Sequence, residues 1–197
     1  MKKIGPSLWR GSSRQVVGGL CVAALAAGGT LAAMPASGTP TDHISRLRDR
    51  AEIEDLTYCY AEGTDTIGRG DLEGGRAIYE TCFTQGAVVE AYFPTDDPDG
   101  PPSLASGPSA WADVANTVFT TNGYVATQHL NSNVRIKLQG NTATMTTYLN
   151  AVHVIDPEGS IDLANGTYTD IVVRTPQGWK IAKRTLRLIT FMRIDSP

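Results

Sequence analysis

The sequence predicts an α+β domain in which a curved antiparallel sheet wraps around helices. Three observations carry this. Apolar residues recur at three- to five-residue intervals over 43–66, the helical period. From residue 125 onward they alternate with polar ones, the strand period. The helical segments precede the run of strands, an order typical of helices packed on one face of an antiparallel sheet. A length of 197 residues suits one such domain around a single core.

The first 38 residues stand apart. Lys2, Lys3, Arg10 and Arg14 precede "VVGGLCVAALAAGGTLAAMPASG", an apolar run of small residues without a carboxylate. This is a secretory signal pattern, with cleavage expected near Gly38 and the domain spanning 39–197. The run is nearly long enough to anchor in a bilayer, but its Gly and Ala content makes it weakly hydrophobic and favours cleavage. The expected location is secreted, periplasmic or in the cell envelope.

In the domain, Ile44, Leu47, Ala51, Leu56 and Tyr60 mark the first helix, closed by the glycines of "TIGRGD". "DLEGGRAIYETCF" reads as a second, shorter helix and "AVVEAYFP" as a strand. "TDDPDGPPSLASGPS" reads as a long loop, placed to cover a site. Its Asp96, Asp97 and Asp99 lack the spacing of a calcium loop and read as solvated turn residues. "SAWADVANTVF" gives a third helix, and 125–138, 142–155, 166–174 and 178–192 read as four strands, with hairpin turns at "LQGNT" and "TPQGW". A curved sheet lined by helices leaves a pocket between the two layers, the default ligand site.

Charge narrows the partners. Four of the 17 basic residues and none of the 20 acidic ones lie in 1–38, which leaves 13 against 20, a net −7 for the domain. An acidic surface with scattered basic residues argues against nucleic acid. Once the signal segment and Cys21 are removed, no membrane partner is expected. Cys59 and Cys82 then remain as a pair that either forms a disulfide in an oxidising compartment or stays as two buried thiols. No cysteine or histidine spacing suggests a metal site.

The two remaining histidines of interest lie in the strand region. In "TATMTTYLNAVHV", His153 shares its parity with Ala143, Met145, Leu149 and Ala151 and is expected to point inward. His129, in "TQHLNSN", shares parity with Asn131 and Asn133, opposite Leu130, Val134, Ile136 and Leu138. Strict alternation turns it away from the apolar face unless a bulge intervenes near "NSN". Parity alone leaves both arrangements open.

The runs "DRAEIEDLTYCYAEGTDTIGRGD", "FTQGAVVEAYF", "TQHLNSN", "GNTATMTTYLNAVHV" and "GTYTDIVVRTPQGWKIAKRTL" together resemble a SnoaL-like member of the nuclear transport factor 2-like superfamily. The resemblance covers the whole domain. It implies a cone-shaped α+β barrel in which a bent sheet and three helices enclose a deep pocket. Among the superfamily's enzymes the chain resembles scytalone dehydratase, bile-acid dehydratases and hexachlorocyclohexane dehydrochlorinase. These eliminate water or hydrogen chloride with an Asp–His pair. Carried over by position, the aspartate is Asp65, the histidine is His129, a second histidine is His153, and a tyrosine five residues before the aspartate is Tyr60. Thr64 stands where scytalone dehydratase has a tyrosine, so its mode of substrate activation is not carried over. The resemblance also allows a homodimer or homotrimer through the outer sheet face.

Elimination needs a base for a C–H proton and an acid for the departing hydroxyl, and an imidazole serves either role near neutral pH. On this reading Asp65 orients His129 and stabilises its imidazolium. His153 or Tyr60 protonates the leaving group or holds a carbonyl. Tyr168 and Tyr58 are candidate substrate contacts, with a core role the alternative for Tyr58. Trp179 reads as packing, and Arg184 either binds an anion or faces water. The chemistry requires no metal or organic cofactor. The expected partner is a small cyclic, polyketide- or steroid-like molecule. A double-bond isomerase or a non-catalytic pocket protein for an apolar ligand is the alternative, because fold alone does not choose.

Overall fold

A computed structural model describes residues 39–94, 97, 100–155 and 159–195. The signal segment read in 1–38 and the loop residues Asp96 and Asp99 lie outside the described residues.

Helix α1 (Pro40–Gly68) opens with a reciprocal cap: the Thr39 hydroxyl accepts from the Asp42 backbone N–H, and the Asp42 carboxylate accepts from the Thr39 backbone N–H. Its inward stripe runs Asp49, Ile53, Leu56, Tyr60, Thr64 and Ile67, at three- and four-residue steps. Ile44 and Leu47, expected on that stripe, are exposed. At 100° per residue they fall on the opposite side of the helix from Ile53 and Tyr60, together with Tyr58. Helix α2 (Leu72–Cys82) is capped by Asp71, whose carboxylate accepts from the Gly74 N–H at 2.9 Å. It can pack closely on α1 because Gly75 has no side chain: a Cβ there would lie 2.6 Å from the Gly63 carbonyl oxygen. Cys59 and Cys82 form a disulfide between these helices, with Cα atoms 5.9 Å apart. Closing a 23-residue separation stabilises the fold by about 3 kcal/mol through the unfolded chain's lost entropy.

Strand β1 (Phe83–Tyr92) continues directly from α2, and a short strand β2 (Ser103–Ser106) pairs with it. Helix α3 (Pro108–Thr121) follows, then the meander β3 (Ala126–Gln139), β4 (Thr142–Val154), β5 (Ile161–Thr175) and β6 (Gly178–Ile194). The six strands form one sheet in the order β2-β1-β6-β5-β4-β3. The expected antiparallel run holds from β3 to β6, whereas β1 joins β6 in parallel. The parallel pair needs a long crossover: between β1 and β6 the chain passes through β2, α3, β3, β4 and β5. Strand β2 lies inside the stretch expected to be loop; its four residues gain strand structure from the β1 edge rather than from their own pattern.

The layer between the helices and the concave sheet face is built from alternating inward residues, such as Ala143, Met145 and Leu149 on β4 and Ala164, Tyr168 and Val172 on β5. Trp179 packs there as expected, its Nε1 donating to Asp49 at 3.2 Å. Arg184 neither faces water nor stands free to bind an anion. It is fully buried, held by two hydrogen bonds to Asp170 at 2.8 and 2.7 Å.

Candidate active site

The question left open by parity is answered by a bulge. Strand β3 pairs with β4 in one register through Ser132 and resumes in another at Arg135, with Asn133 at φ 54°. Asparagine tolerates this left-handed conformation better than most residues. Thr127, His129 and Asn131 therefore face inward before the bulge, and Val134, Ile136 and Leu138 after it. His129 is 9% exposed and lines the cavity.

Asp65 meets it from the last turn of α1. The Asp65 Oδ1 accepts from His129 Nδ1 at 2.7 Å and from the Thr127 hydroxyl at 2.9 Å, while Oδ2 accepts from the His129 backbone N–H at 3.1 Å. A carboxylate partner makes Nδ1 the donor, so the Nε2 lone pair is left for chemistry. Burial alone pushes the Asp65 carboxyl up, but the His129 ring, its backbone N–H and the Thr127 hydroxyl outweigh it and hold Asp65 below its usual range.

The close approach of α1 to β3 rests on Gly68. A Cβ there would collide with the Thr127 side chain, the same one that binds Asp65.

His153 stands edge-on to His129, with ring centroids 5.4 Å apart. Its Nδ1 lies 3.4 Å from the Asp162 backbone oxygen. Burial, reinforced by the neighbouring His129, pushes its imidazole down to about 4, so it is neutral near pH 7. Phe119 of α3 packs on both imidazoles, at 6.4 and 5.7 Å between centroids.

Tyr60 and Tyr168 line the same cavity. The Tyr60 ring stacks on Tyr79 at 5.5 Å and meets Tyr168 edge-on at 5.3 Å. Beneath them the Arg184 guanidinium lies 3.9 Å from the Tyr60 ring centre and 4.3 Å from that of Tyr168. The Thr64 hydroxyl gives its proton to the Tyr60 carbonyl, so the Tyr79 hydroxyl donates to Thr64 at 2.6 Å. Burial keeps the Tyr168 hydroxyl protonated far beyond neutral pH. Tyr58 is a correction: it is 60% exposed and stands outside the cavity. Two residues before Tyr60 is about 200° around the helix, which turns Tyr58 to solvent and excludes both a substrate contact and a core role.

The cavity measures about 180 Å³, and its remaining wall is largely apolar, from Trp111, Val118, Leu149 and Leu186 among others. A cavity of about 150 Å³ accommodates benzene. Among the described residues no group of three or more His, Cys, Asp or Glu is placed to hold a metal ion.

A model of the SnoaL-like domain matches residues 45–185. The chain belongs to the SnoaL-like family. Solved structures share the fold of this SnoaL-like chain. A protein of Kribbella flavida is 21% identical, with 75% of this chain and 95% of that one covered at a TM-score of 0.61. A LinA-type hexachlorocyclohexane dehydrochlorinase of Novosphingobium barchaimii is 18% identical, with 77% and 94% covered at 0.60. A scytalone dehydratase-like protein of Novosphingobium aromaticivorans is 24% identical, with 80% and 92% covered at 0.56. At these identities the likeness concerns the fold. No functionally curated protein matches significantly.

Sequence reasoning brought Asp65, His129, His153, Tyr60 and Tyr168 to one site but missed Thr127, Tyr124 and Asp162. Thr127 had a visible signal in its place two residues before His129 on one strand face. Tyr124 and Asp162 had none, since each matters through a long-range contact.

Proposed function

We propose that this SnoaL-like protein is a cofactor-independent lyase that eliminates water from a small, neutral cyclic hydroxy ketone. The observation that carries this is the 2.7 Å hydrogen bond between Asp65 and the His129 Nδ1, with the ring in the wall of a largely apolar cavity. His129 Nε2 takes the proton on the carbon beside the carbonyl, and the electron pair passes into an enolate. Asp65 stabilises the imidazolium, as a triad carboxylate does. The Tyr60 and Tyr168 hydroxyls are the donors for the enolate oxygen. The C–O bond then breaks, and the proton held on His129 goes to the departing hydroxyl, which gives an enone and water and restores the imidazole. A cavity of this size favours one ring over a steroid nucleus. The elimination named for the dehydrochlorinase and for the scytalone dehydratase-like protein follows the same logic and supports this reading.

The test follows enone absorbance with a panel of cyclic hydroxy ketones. His129→Ala and Asp65→Asn lower the rate by about 10²- to 10⁴-fold while the circular dichroism stays that of the folded protein. Full activity in folded variants overturns the pair's role. If the panel binds without turnover or double-bond migration, the protein is a binding pocket rather than a lyase.

Two further parts of the reading concern the protein's setting. Export follows from the signal pattern at 1–38 and is supported by the disulfide between Cys59 and Cys82. Assembly as a homodimer or homotrimer through the outer sheet face is supported by Leu130, Tyr148 and Ile189, which are exposed there. A single monomer peak in sedimentation velocity rejects the assembly.

A further inference from the structure

The second imidazole of the cavity has a support that runs across four strands. Thr127 of β3 faces His153 of β4, His153 faces Asp162 of β5, and Asp162 faces Arg193 of β6, each as direct register partners. Asp162 is 3% exposed, yet its carboxylate is fully engaged. It accepts from the Tyr124 hydroxyl at 2.6 Å and from Arg193 Nε and Nη2 at 3.0 and 3.2 Å. The Tyr124 ring also lies against the His153 ring, with centroids 4.9 Å apart. One clamp thus fixes both the backbone carbonyl that His153 Nδ1 meets and the aromatic surface on which the ring rests. Arg193 closes the clamp from the surface, its side chain about half exposed.

Chemistry then sets the direction of the hydrogen bond. A carbonyl oxygen only accepts, so Nδ1 donates to Asp162 and the Nε2 of His153 carries a lone pair. We propose that Arg193, acting through Asp162, is a positioning residue that holds His153 as a hydrogen-bond acceptor for a substrate hydroxyl. The substrate role rests on the lyase reading above; the clamp itself does not. With its Nε2 as acceptor, His153 is not the acid that protonates the leaving group. It fixes the hydroxyl that will leave, and the proton for departure comes from His129.

The ionisable and charged groups facing His153 are His129 on β3, Asp65 on α1, Asp162 on β5, Tyr124 in the turn before β3 and, through Asp162, Arg193 on β6. Helix α3 presents the uncharged Phe119. The Asp162 carboxylate favours an imidazolium beside it, and the Arg193 guanidinium bonded to that carboxylate offsets part of the attraction. Without the guanidinium, His153 gains a proton more readily and ceases to accept.

The test is an NMR titration of the imidazole Cε1–H signals without substrate. The sequence has three histidines, so His43, His129 and His153 are assigned by single substitutions. In the unaltered protein His153 titrates at about 4. Arg193→Met raises that midpoint by about one unit, since an opposite charge is left uncompensated. Arg193→Lys, which restores the charge, keeps it near the original value. Asp162→Asn, which removes the carboxylate and leaves the guanidinium, moves it the other way or leaves it in place. An unchanged midpoint in Arg193→Met, or a rise in both Arg193→Met and Asp162→Asn, overturns the proposal and leaves the clamp a packing feature. Because the readout needs no turnover, a shift in Arg193→Met together with an inactive hydroxy-ketone panel separates failure of the lyase reading from failure of this one.

Discussion

At His153 an imidazole loses water on folding without gaining a countercharge at its ring. Its folded value of about 4 lies below the 6.5 of a free histidine. Between these values the unfolded chain binds more protons than the folded one, so stability falls as pH drops from about 6.5 to about 4 and this group costs nothing further below that. The full loss is about 3 kcal/mol at most, and urea midpoints compared at about pH 7 and about pH 4.5 measure it. His153→Gln is expected to flatten the dependence within that window. Asp65 acts in a separate, lower one: its stabilisation is present above the ordinary carboxylate value and disappears as pH falls through the depressed folded value. The identities of these residues were legible in the sequence, but the side faced by His129 was not. One irregularity at Asn133 reverses the parity of the strand; the sequence offered "NSN" as a place for it, but a list of apolar and polar positions does not say whether the register slips there.

Among the elements, the contact between α1 and β3 sets the Asp65–His129 geometry. Gly68→Ala forces a methyl group into Thr127 and so displaces the hydroxyl that holds Asp65 Oδ1. The expected cost is about 1–3 kcal/mol, read as a lower urea midpoint, with a parallel loss of any lyase activity. Gly86→Ala in β1 serves as the control. A Cβ there meets nothing within 4 Å, and the midpoint should stay within about 0.5 kcal/mol. At this scale the sequence was informative wherever a pattern is local. The helices and the β3–β6 meander followed from periodicity and hairpin turns. The two apolar sides of α1 were not separable, because Ile44, Leu47 and Tyr58 are as apolar as the residues that become core. Strand β2 was not legible either, since "SLAS" acquires its conformation only beside β1.

For the whole molecule, the proposed export makes two predictions, one from the signal pattern read in 1–38 and one from the disulfide between Cys59 and Cys82. Mass spectrometry of protein recovered outside the cytoplasm should show an N-terminus near Thr39 and a mass two hydrogens below that of the reduced chain. A mature N-terminus at Met1, or free Cys59 and Cys82, rejects export through this signal. The expected mixture of helices and sheet around a pocket holds at this scale because it depends on the order of periods along the chain. The position of β1 does not, because the pairing partner lies almost a hundred residues away in the sequence.

That distance has a consequence for folding. Strand β1 pairs in parallel only with β6, where Val88 lies opposite Lys183, so this pair closes only after the segments between them have been gathered. The stripe of α1 that carries Tyr60 and Thr64 is therefore covered by its full sheet only after the meander β3 to β6 has formed. Such long-range closure slows folding and lengthens the exposure of apolar surface. The cavity is complete only once β6 lies between β1 and β5.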